Sequence, residues 1–196
     1  MNSKERLYAR LEGKQVDKIP NMNIAMGLVA KAAGVSYREY VLDYRKLVEG
    51  ADIIGVGNAV ASIVGPGIYE KYALAYDRAL VEHIHSHGAM VKLHICGNIT
   101  ALIPLLKLVA PDILDIDWMV NFSKASEALS DTGISVCGNV DPVSVLLQGN
   151  AALVEQKVRE CASIDDPTTL VAAGCEVPAQ TPEENLLLMD RLLYLL

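Results

Sequence analysis

A histidine and two cysteines lie at the ends of apolar, strand-like runs of this sequence. His94 and Cys96 alternate in one run, and Cys175 follows the run 170–173 after a single glycine. Alternate side chains of a strand share a face, so His94 and Cys96 point the same way. One imidazole and two thiolates suit zinc, and three protein ligands leave a coordination position open, as in catalytic zinc sites. The sequence therefore predicts a zinc site at His94, Cys96 and Cys175.

The position of these residues in the chain favours chemistry over packing. Each part of the predicted site lies where an apolar strand stops, and in parallel α/β folds ligands bind at that edge of the sheet. A buried cysteine can also be only a small hydrophobic residue. That is our interpretation of Cys137, inside a strand run, and of Cys161, within a helical run.

Composition excludes several classes of protein. A net charge of −7 disfavours nucleic acid and anionic membranes as partners, because both select a basic face. The sequence has no apolar run of about 18 residues, and residues 1–6 contain no apolar signal core, so we expect a cytoplasmic protein. Four cysteines in 196 residues do not resemble a disulfide framework, and a metal site needs reduced thiols.

Beyond residue 50 the pattern alternates strands with helices, which predicts a parallel sheet covered by helices. The predicted strands are 52–56, 90–95, 113–116, 134–137 and 169–173, preceded by an extended segment at 21–26. The predicted helices are an opening helix capped by Ser3, two short helices within 28–48, then 69–87, 99–109, 121–130, 143–147, 153–162 and 185–196, the last capped by Thr181 with Pro182 in its first position.

The strand count indicates an incomplete barrel. About six strands are predicted, whereas a closed (β/α)8 barrel has eight strands and typically about 250 residues. We therefore expect one domain over residues 1–196, an α/β fold derived from a TIM barrel, with an internal deletion near residues 50–51. Two absent strands would leave unpaired strand edges, which favour self-association, so a homo-oligomer is one expected form.

Four motifs resemble the uroporphyrinogen decarboxylase superfamily, and more narrowly its zinc-containing, corrinoid-dependent methyltransferase branch. These motifs are LHICGN at 93–98, CGNVDP at 137–142, AGCEVP at 173–178 and TPEENL at 181–186. The resemblance extends from residue 51 to the carboxyl end and is weaker over residues 1–50. It implies a (β/α)8 barrel in which His94, Cys96 and Cys175 bind zinc.

The resemblance also implies an activity and partners. A methyl group would pass from a methylated corrinoid, carried by a separate protein, to a thiol such as coenzyme M or to a tetrahydrofolate-like acceptor. Zinc removes the proton of a bound thiol, which makes that sulfur the nucleophile. The chain departs from the family in its shorter length and in the strands that are missing near residues 50–51.

Three further polar residues at strand ends are candidates for catalysis. Asp117 is a candidate fourth ligand, or an acceptor for His94, and could alternatively be a helix cap. Asn139 and Asp141 precede Pro142 and are candidates for contact with corrinoid or substrate. Asn, Asp and Pro are equally typical of turns, so that alternative stays open.

Two residues that follow the ligand motifs, Asn98 and Glu176, are assigned to cofactor binding, although Glu176 could only begin a loop. His83, His85 and His87 fall in the last turn of a helix, where the helix dipole favours histidine, so we do not interpret them as metal ligands. Residues 55–58 lack a complete dinucleotide-binding motif. Met22 and Met26 are either at the mouth of the site or in the core.

Two other functions remain open. Decarboxylation of a porphyrinogen with several carboxylates would need clustered arginines, and residues 21–26 contain none. Decarboxylation also has no use for two thiols. The second alternative is a non-catalytic remnant that holds zinc or nothing.

Overall fold

The computed structural model describes residues 1–23 and 52–194. Within these ranges the strands form one parallel sheet of order β1-β2-β3-β4-β5, so each strand pairs with the next one along the chain. This confirms the predicted alternation of strands and helices. The strands are β1 (Ile53–Asn58), β2 (Met90–Ile95), β3 (Ile113–Ile116), β4 (Ser135–Val140) and β5 (Leu170–Ala173).

The helices precede the sheet and link its strands. They are α1 (Ser3–Leu11), α2 (Ala61–Tyr72), α3 (Leu74–Ser86), α4 (Ile103–Val109), α5 (Phe122–Leu129), α6 (Ala151–Ala162) and α7 (Glu183–Leu192), with a 3-10 turn at Thr100–Leu102 and a π-helical segment at Pro142–Leu147. Among the described residues, every helix is too short or too polar to cross a bilayer.

Alternation along the strands divides the apolar side chains between two clusters. Leu114 and Ile116 of β3 belong to the larger cluster, which lies between the sheet and its helices. Ile113 of the same strand points to the opposite, inner face. There it packs with residues near the amino ends of other strands and with Leu7 and Leu11 of α1. Helix α1 therefore covers the amino ends of the strands on the inner face, and polar side chains occupy the carboxyl ends.

The segment of residues 19–23 lies beside β5, and among the described residues it forms an isolated parallel bridge, between Asn21 and Val171. Two side-chain contacts fix it further. The amide oxygen of Asn23 accepts from the backbone N–H of Ala173 at 2.5 Å, and Lys92 Nζ donates to the carbonyl of Met22 at 2.6 Å. The predicted sixth strand is thus a single bridge among the described residues. Its continuation over 24–26, Met26, the predicted helices within 28–48 and residues 50–51 lie outside them.

Helix limits differ from the prediction where a neighbouring residue provides the cap. Asn2, not Ser3, caps α1 and forms a capping box with Glu5. Pro182 is the residue that precedes α7, and the hydroxyl of Thr181 makes no capping bond. The prediction was wrong at both caps: at α1 the adjacent Asn2 is also a preferred capping residue, and α7 begins after Pro182 without a side-chain cap.

The predicted helix 69–87 is two helices, α2 and α3, separated at Ala73. Helix α2 begins earlier than predicted because the side chain of Asn58 accepts from the backbone N–H groups of Val60 and Ala61. Its axis is broken at Gly65, whose φ of 75° is outside the helical range. Strand β4 is longer than the predicted 134–137, so Asn139 lies within the strand.

Candidate metal site at the strand ends

The structure brings His94, Cys96 and Cys175 together. His94 is in β2, Cys96 is the residue after β2, and Cys175 is two residues beyond β5. The Sγ atoms of the two cysteines are 3.9 Å apart, and Cys96 Sγ is 3.4 Å from His94 Nε2. In a flat sheet, β2 and β5 would be separated by three strand spacings, about 14 Å. The sheet must therefore curl as in a barrel, and that curvature closes the site.

The spacing of the donor atoms fits zinc. All three ligand atoms lie within 4.8 Å of one another. Tetrahedral zinc, with bonds of about 2.3 Å to sulfur and 2.0 Å to nitrogen, places its ligand atoms about 3.5–3.8 Å apart. The distances of 3.4 Å and 3.9 Å are close to these values. Small side-chain rotations would complete the coordination, and the fourth position would remain open.

The ring of His94 is oriented by Asp115, its register partner on β3. His94 Nδ1 is 3.1 Å from the backbone carbonyl oxygen of Asp115 and 3.4 Å from its carboxylate. An N–H at Nδ1 leaves the lone pair on Nε2, which faces Cys96. Asp115 is fully buried, and Lys92 Nζ lies 2.9 Å from its Oδ2. Nε2 is thus the atom available to a metal.

Electrostatics distinguish the two cysteines. Burial lowers the pKa of His94, but Asp115 and Cys175 outweigh burial and raise that pKa to about 11. The hydrogen bond from His94 lowers the pKa of Cys175 against the effect of burial, and the backbone N–H of Glu176 adds to the lowering. Burial, followed by the charge of Cys175, raises the pKa of Cys96. Without metal, the site therefore favours an imidazolium at His94, a thiolate at Cys175 and a neutral thiol at Cys96.

This asymmetry predicts the order of alkylation in the metal-free protein. Thiolates react and thiols do not, so iodoacetamide at pH 7 should modify Cys175 before Cys96. Because the pKa of Cys175 is lowered, its reaction should persist below the usual thiol pKa, whereas that of Cys96 should require alkaline pH. Peptide mass spectrometry over a pH series measures both. His94→Gln should abolish the preference, and equal rates in the unsubstituted protein would contradict the assignment.

A cavity of about 490 Å³ adjoins the three ligand side chains, between β1 and the ends of β2, β3 and β5. This volume accommodates a small thiol beside the open coordination position. The lining residues are Gly55, Val56, Gly57, Asn58, Ala59, Lys92, His94, Cys96, Asp115, Cys175 and Glu176.

Asp117 lies one residue beyond β3 and is 5% exposed. Its Oδ2 accepts from the backbone N–H of Gly97 at 2.7 Å, which fixes the chain directly after Cys96. It is not among the three residues whose ligand atoms cluster. The carboxylate beside His94 belongs to Asp115, not Asp117. It therefore lies two residues earlier in the chain than the acceptor that the sequence suggested. A role for Asp117 as fourth ligand stays a prediction.

Asn139 of β4 is bonded to the loop after β3, next to the site. Its amide Nδ2 donates to the carbonyls of Asp117 and Val120, at 3.2 Å and 2.6 Å. Its Oδ1 accepts weakly from the thiol of Cys161 at 3.8 Å. The contacts of Asn139 therefore lie with the loop after β3 and with α6.

We expect Asn139→Ala to lower the free energy of unfolding by about 1–3 kcal/mol, because two carbonyls lose their donor. Urea unfolding followed by circular dichroism measures this. Asn98→Ala is the matched control, since Asn98 is exposed and bonds only Thr100, so its loss should be smaller. Equal effects of the two substitutions would contradict the positioning of the loop by Asn139.

The remaining predicted site residues have local contacts. Asp141 caps the π-helical segment by accepting from Val143 and Ser144. Asn98 accepts from the backbone and hydroxyl of Thr100. Glu176 lines the cavity. Turn and cap chemistry therefore accounts for Asp141 and Asn98, and contact of any of the three with substrate or corrinoid stays a prediction.

Residues interpreted as structural have structural contacts. Cys137 is fully buried on the inner face, and Cys161 packs in the larger cluster. His85 bonds Asp112 at 2.8 Å, and His87 Nδ1 lies 2.9 Å from the carbonyl of His83. Met22 packs against the inner cluster.

Sequence reasoning missed Lys92 and Asp115. The available signal was a pair of charges inside otherwise apolar strands: Lys92 lies two residues before His94, and Asp115 two residues before Asp117. Such charges are rarely buried unless they are paired. A lysine and an aspartate in phase with predicted site residues therefore indicated that each has a buried partner, without showing which residue that partner is.

Comparison with known proteins identifies the family. The family model described as Uroporphyrinogen decarboxylase (URO-D) matches residues 39–192. The chain therefore belongs to the uroporphyrinogen decarboxylase family.

Individual relatives carry two different descriptions. A methylcobamide:CoM methyltransferase MtbA of Methanosarcina mazei is 30% identical over 139 residues, which are 70% of this chain and 40% of that protein. The protein of the same description from Methanosarcina acetivorans gives the same identity and the same coverage of both chains. A uroporphyrinogen decarboxylase of Geotalea uraniireducens is 27% identical over 138 residues, 69% of this chain and 39% of that protein. The chain thus spans about 40% of the length of these relatives.

A solved structure confirms the predicted fold class. A methyltransferase from Methanosarcina mazei superposes with a TM-score of 0.66 and 21% sequence identity, over 80% of this chain and 44% of that chain. Together with the parallel sheet, this match shows an α/β fold derived from a TIM barrel, to which the described residues contribute five strands.

Proposed function

We propose that this protein transfers a methyl group from a methylated corrinoid to a thiol or related acceptor, at a zinc ion held by His94, Cys96 and Cys175. The observation that supports this most strongly is the convergence of the three ligand atoms within 4.8 Å at the strand ends. The resemblance to methylcobamide:CoM methyltransferases supports the reaction class. Zinc bound there would supply the deprotonation of an incoming thiol at neutral pH.

The residues around the ligands set the charge and position of the substrate. As thiolates, Cys96 and Cys175 neutralise the two positive charges of a divalent ion. A substrate thiolate that binds in addition gives the site an excess negative charge, which keeps the substrate sulfur electron-rich. Asp115 and Lys92 cancel one another at 2.9 Å and leave that balance unchanged. The cavity beside β1 holds the acceptor, and the open ends of the strands admit the methyl donor. Catalysis comes from holding the sulfur of the acceptor in line with the methyl group of the corrinoid.

The partners follow from this reaction. The methyl donor is a corrinoid presented by a separate protein, and the acceptor is a small thiol or a tetrahydrofolate-like molecule. We propose a cytoplasmic location, in which thiols stay reduced. Neither nucleic acid nor a membrane is proposed as a partner, because the net charge of −7 disfavours the basic face that both select.

The test combines metal analysis with demethylation of methylcobalamin. The purified protein should contain near-stoichiometric zinc and should convert methylcobalamin to its reduced cobalt form, followed by absorbance, only when an acceptor is added. Thiols, including coenzyme M, and tetrahydrofolate are compared at equal concentration. A zinc-loaded protein that demethylates with none of them would overturn the methyl-transfer proposal.

A second candidate is a non-catalytic remnant, which exposed apolar surface among the described residues favours. Among the described residues β1 pairs on one side only, and α2 and α3 expose large apolar side chains such as Ile63 and Tyr76, which are 82% and 77% exposed. Size-exclusion chromatography separates the cases. A compact species or defined homo-oligomer that carries zinc supports the enzyme, whereas polydisperse material without zinc supports the remnant.

Porphyrinogen decarboxylation is the weaker alternative, although decarboxylases are among the relatives. A substrate with several carboxylates needs several cations in the site. Of the described residues that line the cavity, none is an arginine, and Lys92 is already paired with Asp115. The two clustered thiols would have no role in that reaction.

A further inference from the structure

We propose that Asp115 is a positioning residue that sets the metal affinity of His94, and that Lys92 holds the Asp115 carboxylate in place. This inference rests on the metal site of the proposed function. The family comparisons assign no role to either residue.

The sheet register places Asp115 directly beside His94, because these two are partners between β2 and β3. Lys92 shares the face of His94, two residues earlier on the same strand, and pairs in register with Ile113. The three side chains therefore occupy one inner surface at the floor of the cavity, and all three line it.

Asp115 offers His94 two acceptors at once. The backbone carbonyl oxygen lies 3.1 Å from His94 Nδ1 and the carboxylate Oδ2 lies 3.4 Å away. The carbonyl is sufficient to fix the proton on Nδ1 and to leave Nε2 for the metal. Lys92 balances the net charge of the carboxylate, but the carboxylate oxygen itself lies beside the ring and makes the imidazole a stronger donor through Nε2.

Lys92 holds the Asp115 carboxylate beside His94. A fully buried carboxylate is costly without a partner, and Lys92 Nζ lies 2.9 Å from Asp115 Oδ2. The same ammonium donates to the carbonyl of Met22 at 2.6 Å, so its own position is fixed from two sides. Lys92 is 8% exposed, which prevents water from replacing either contact freely.

The test measures zinc affinity by chelator competition on the full chain. We expect Asp115→Asn to weaken zinc binding roughly 10- to 100-fold, because it keeps the backbone carbonyl and side-chain shape but removes the charge. The matched control is Asp112→Asn, which changes another aspartate at the opposite end of β3, where Oδ2 accepts from the backbone N–H of Val91 and lies 2.8 Å from His85 Nε2. That control should leave zinc affinity within about threefold of the unsubstituted protein, since it removes no group near the ligands.

Proton NMR of ¹⁵N-histidine-labelled, zinc-loaded protein supplies a second readout. The Nδ1–H signal of His94 should move upfield in Asp115→Asn and stay unchanged in Asp112→Asn, which a general loss of stability would not produce.

In a Lys92→Met background, Asp115→Asn should change zinc affinity much less, because the carboxylate is no longer held against His94. Additive effects of the two substitutions would overturn the role of Lys92.

The outcomes separate this inference from the proposed function. If the unsubstituted protein binds no zinc, the metal site itself is wrong. If it binds zinc and Asp115→Asn binds equally well with an unchanged His94 signal, only the role of Asp115 is overturned.

Discussion

Zinc content is expected to fall from about one equivalent to less than about a tenth in His94→Ala and in Cys175→Ser, because two remaining ligands do not hold zinc against dilution. The two substitutions remove donors from different strand ends, β2 and β5, which approach only through the curvature of the sheet. A loss in both variants therefore tests the ligand identities and the closure of the site together. Metal analysis after gel filtration gives the zinc content per chain.

The matched control is Cys161→Ser. Unlike Cys175, which is half-buried, Cys161 is buried in the core, where it lies on α6 and contacts Asn139. It should retain zinc, and circular dichroism should show that all three variants remain folded. An unchanged zinc content in both His94→Ala and Cys175→Ser would refute the assignment of these residues as ligands.

The sequence was sufficient to predict the local part of this site. His94 and Cys96 are two residues apart on a strand, so strand geometry alone places them on one face. Cys175 is different, because the alternation of strands and helices does not reveal how far a sheet curls. Its approach to Cys96 was expected from its place at a strand end and from the family resemblance, and the Sγ distance of 3.9 Å shows it in the structure.

Other features were beyond prediction for identifiable reasons. Asp115 and Lys92 lie within short apolar strands, and nothing in either strand alone shows which charge faces the other. Asn139 was expected near a turn, yet β4 continues through it and its amide bonds two distant carbonyls. Both cases depend on neighbours that are remote in sequence. Pattern reasoning is therefore strongest within one element and weakest between elements.

The segment of residues 19–23 links the two halves of the site. Through Asn21 and Asn23 it contacts β5, the strand that precedes Cys175. Through the carbonyl of Met22 it contacts Lys92 on β2, the strand that carries His94. The amino-terminal segment thus supports the curled sheet from its inner side, by contacts with both β2 and β5.

Gly174→Ala is expected to destabilise the protein and to weaken zinc binding at the same time. A Cβ at Gly174 would lie 2.4 Å from the backbone nitrogen of Trp118 and 3.0 Å from its Cα. These are backbone atoms of the loop after β3, so the clash cannot be relieved by rotating a side chain. We expect a loss of about 1–3 kcal/mol in the free energy of unfolding, typical of overpacking. Cys175 follows directly and should be displaced from Cys96.

The control for this substitution is Gly67→Ala in α2. A Cβ there meets no atom within 4 Å, and alanine favours a helix over glycine, so stability should stay equal or rise by up to about 1 kcal/mol. Urea unfolding and chelator competition on both variants provide the two measurements. The close approach of Gly174 to Trp118 holds the end of β5 against the end of β3. Gly174→Ala should therefore lose both stability and zinc affinity, whereas Gly67→Ala should lose neither. A stable Gly174→Ala protein with unchanged zinc affinity would show that this approach does not position Cys175.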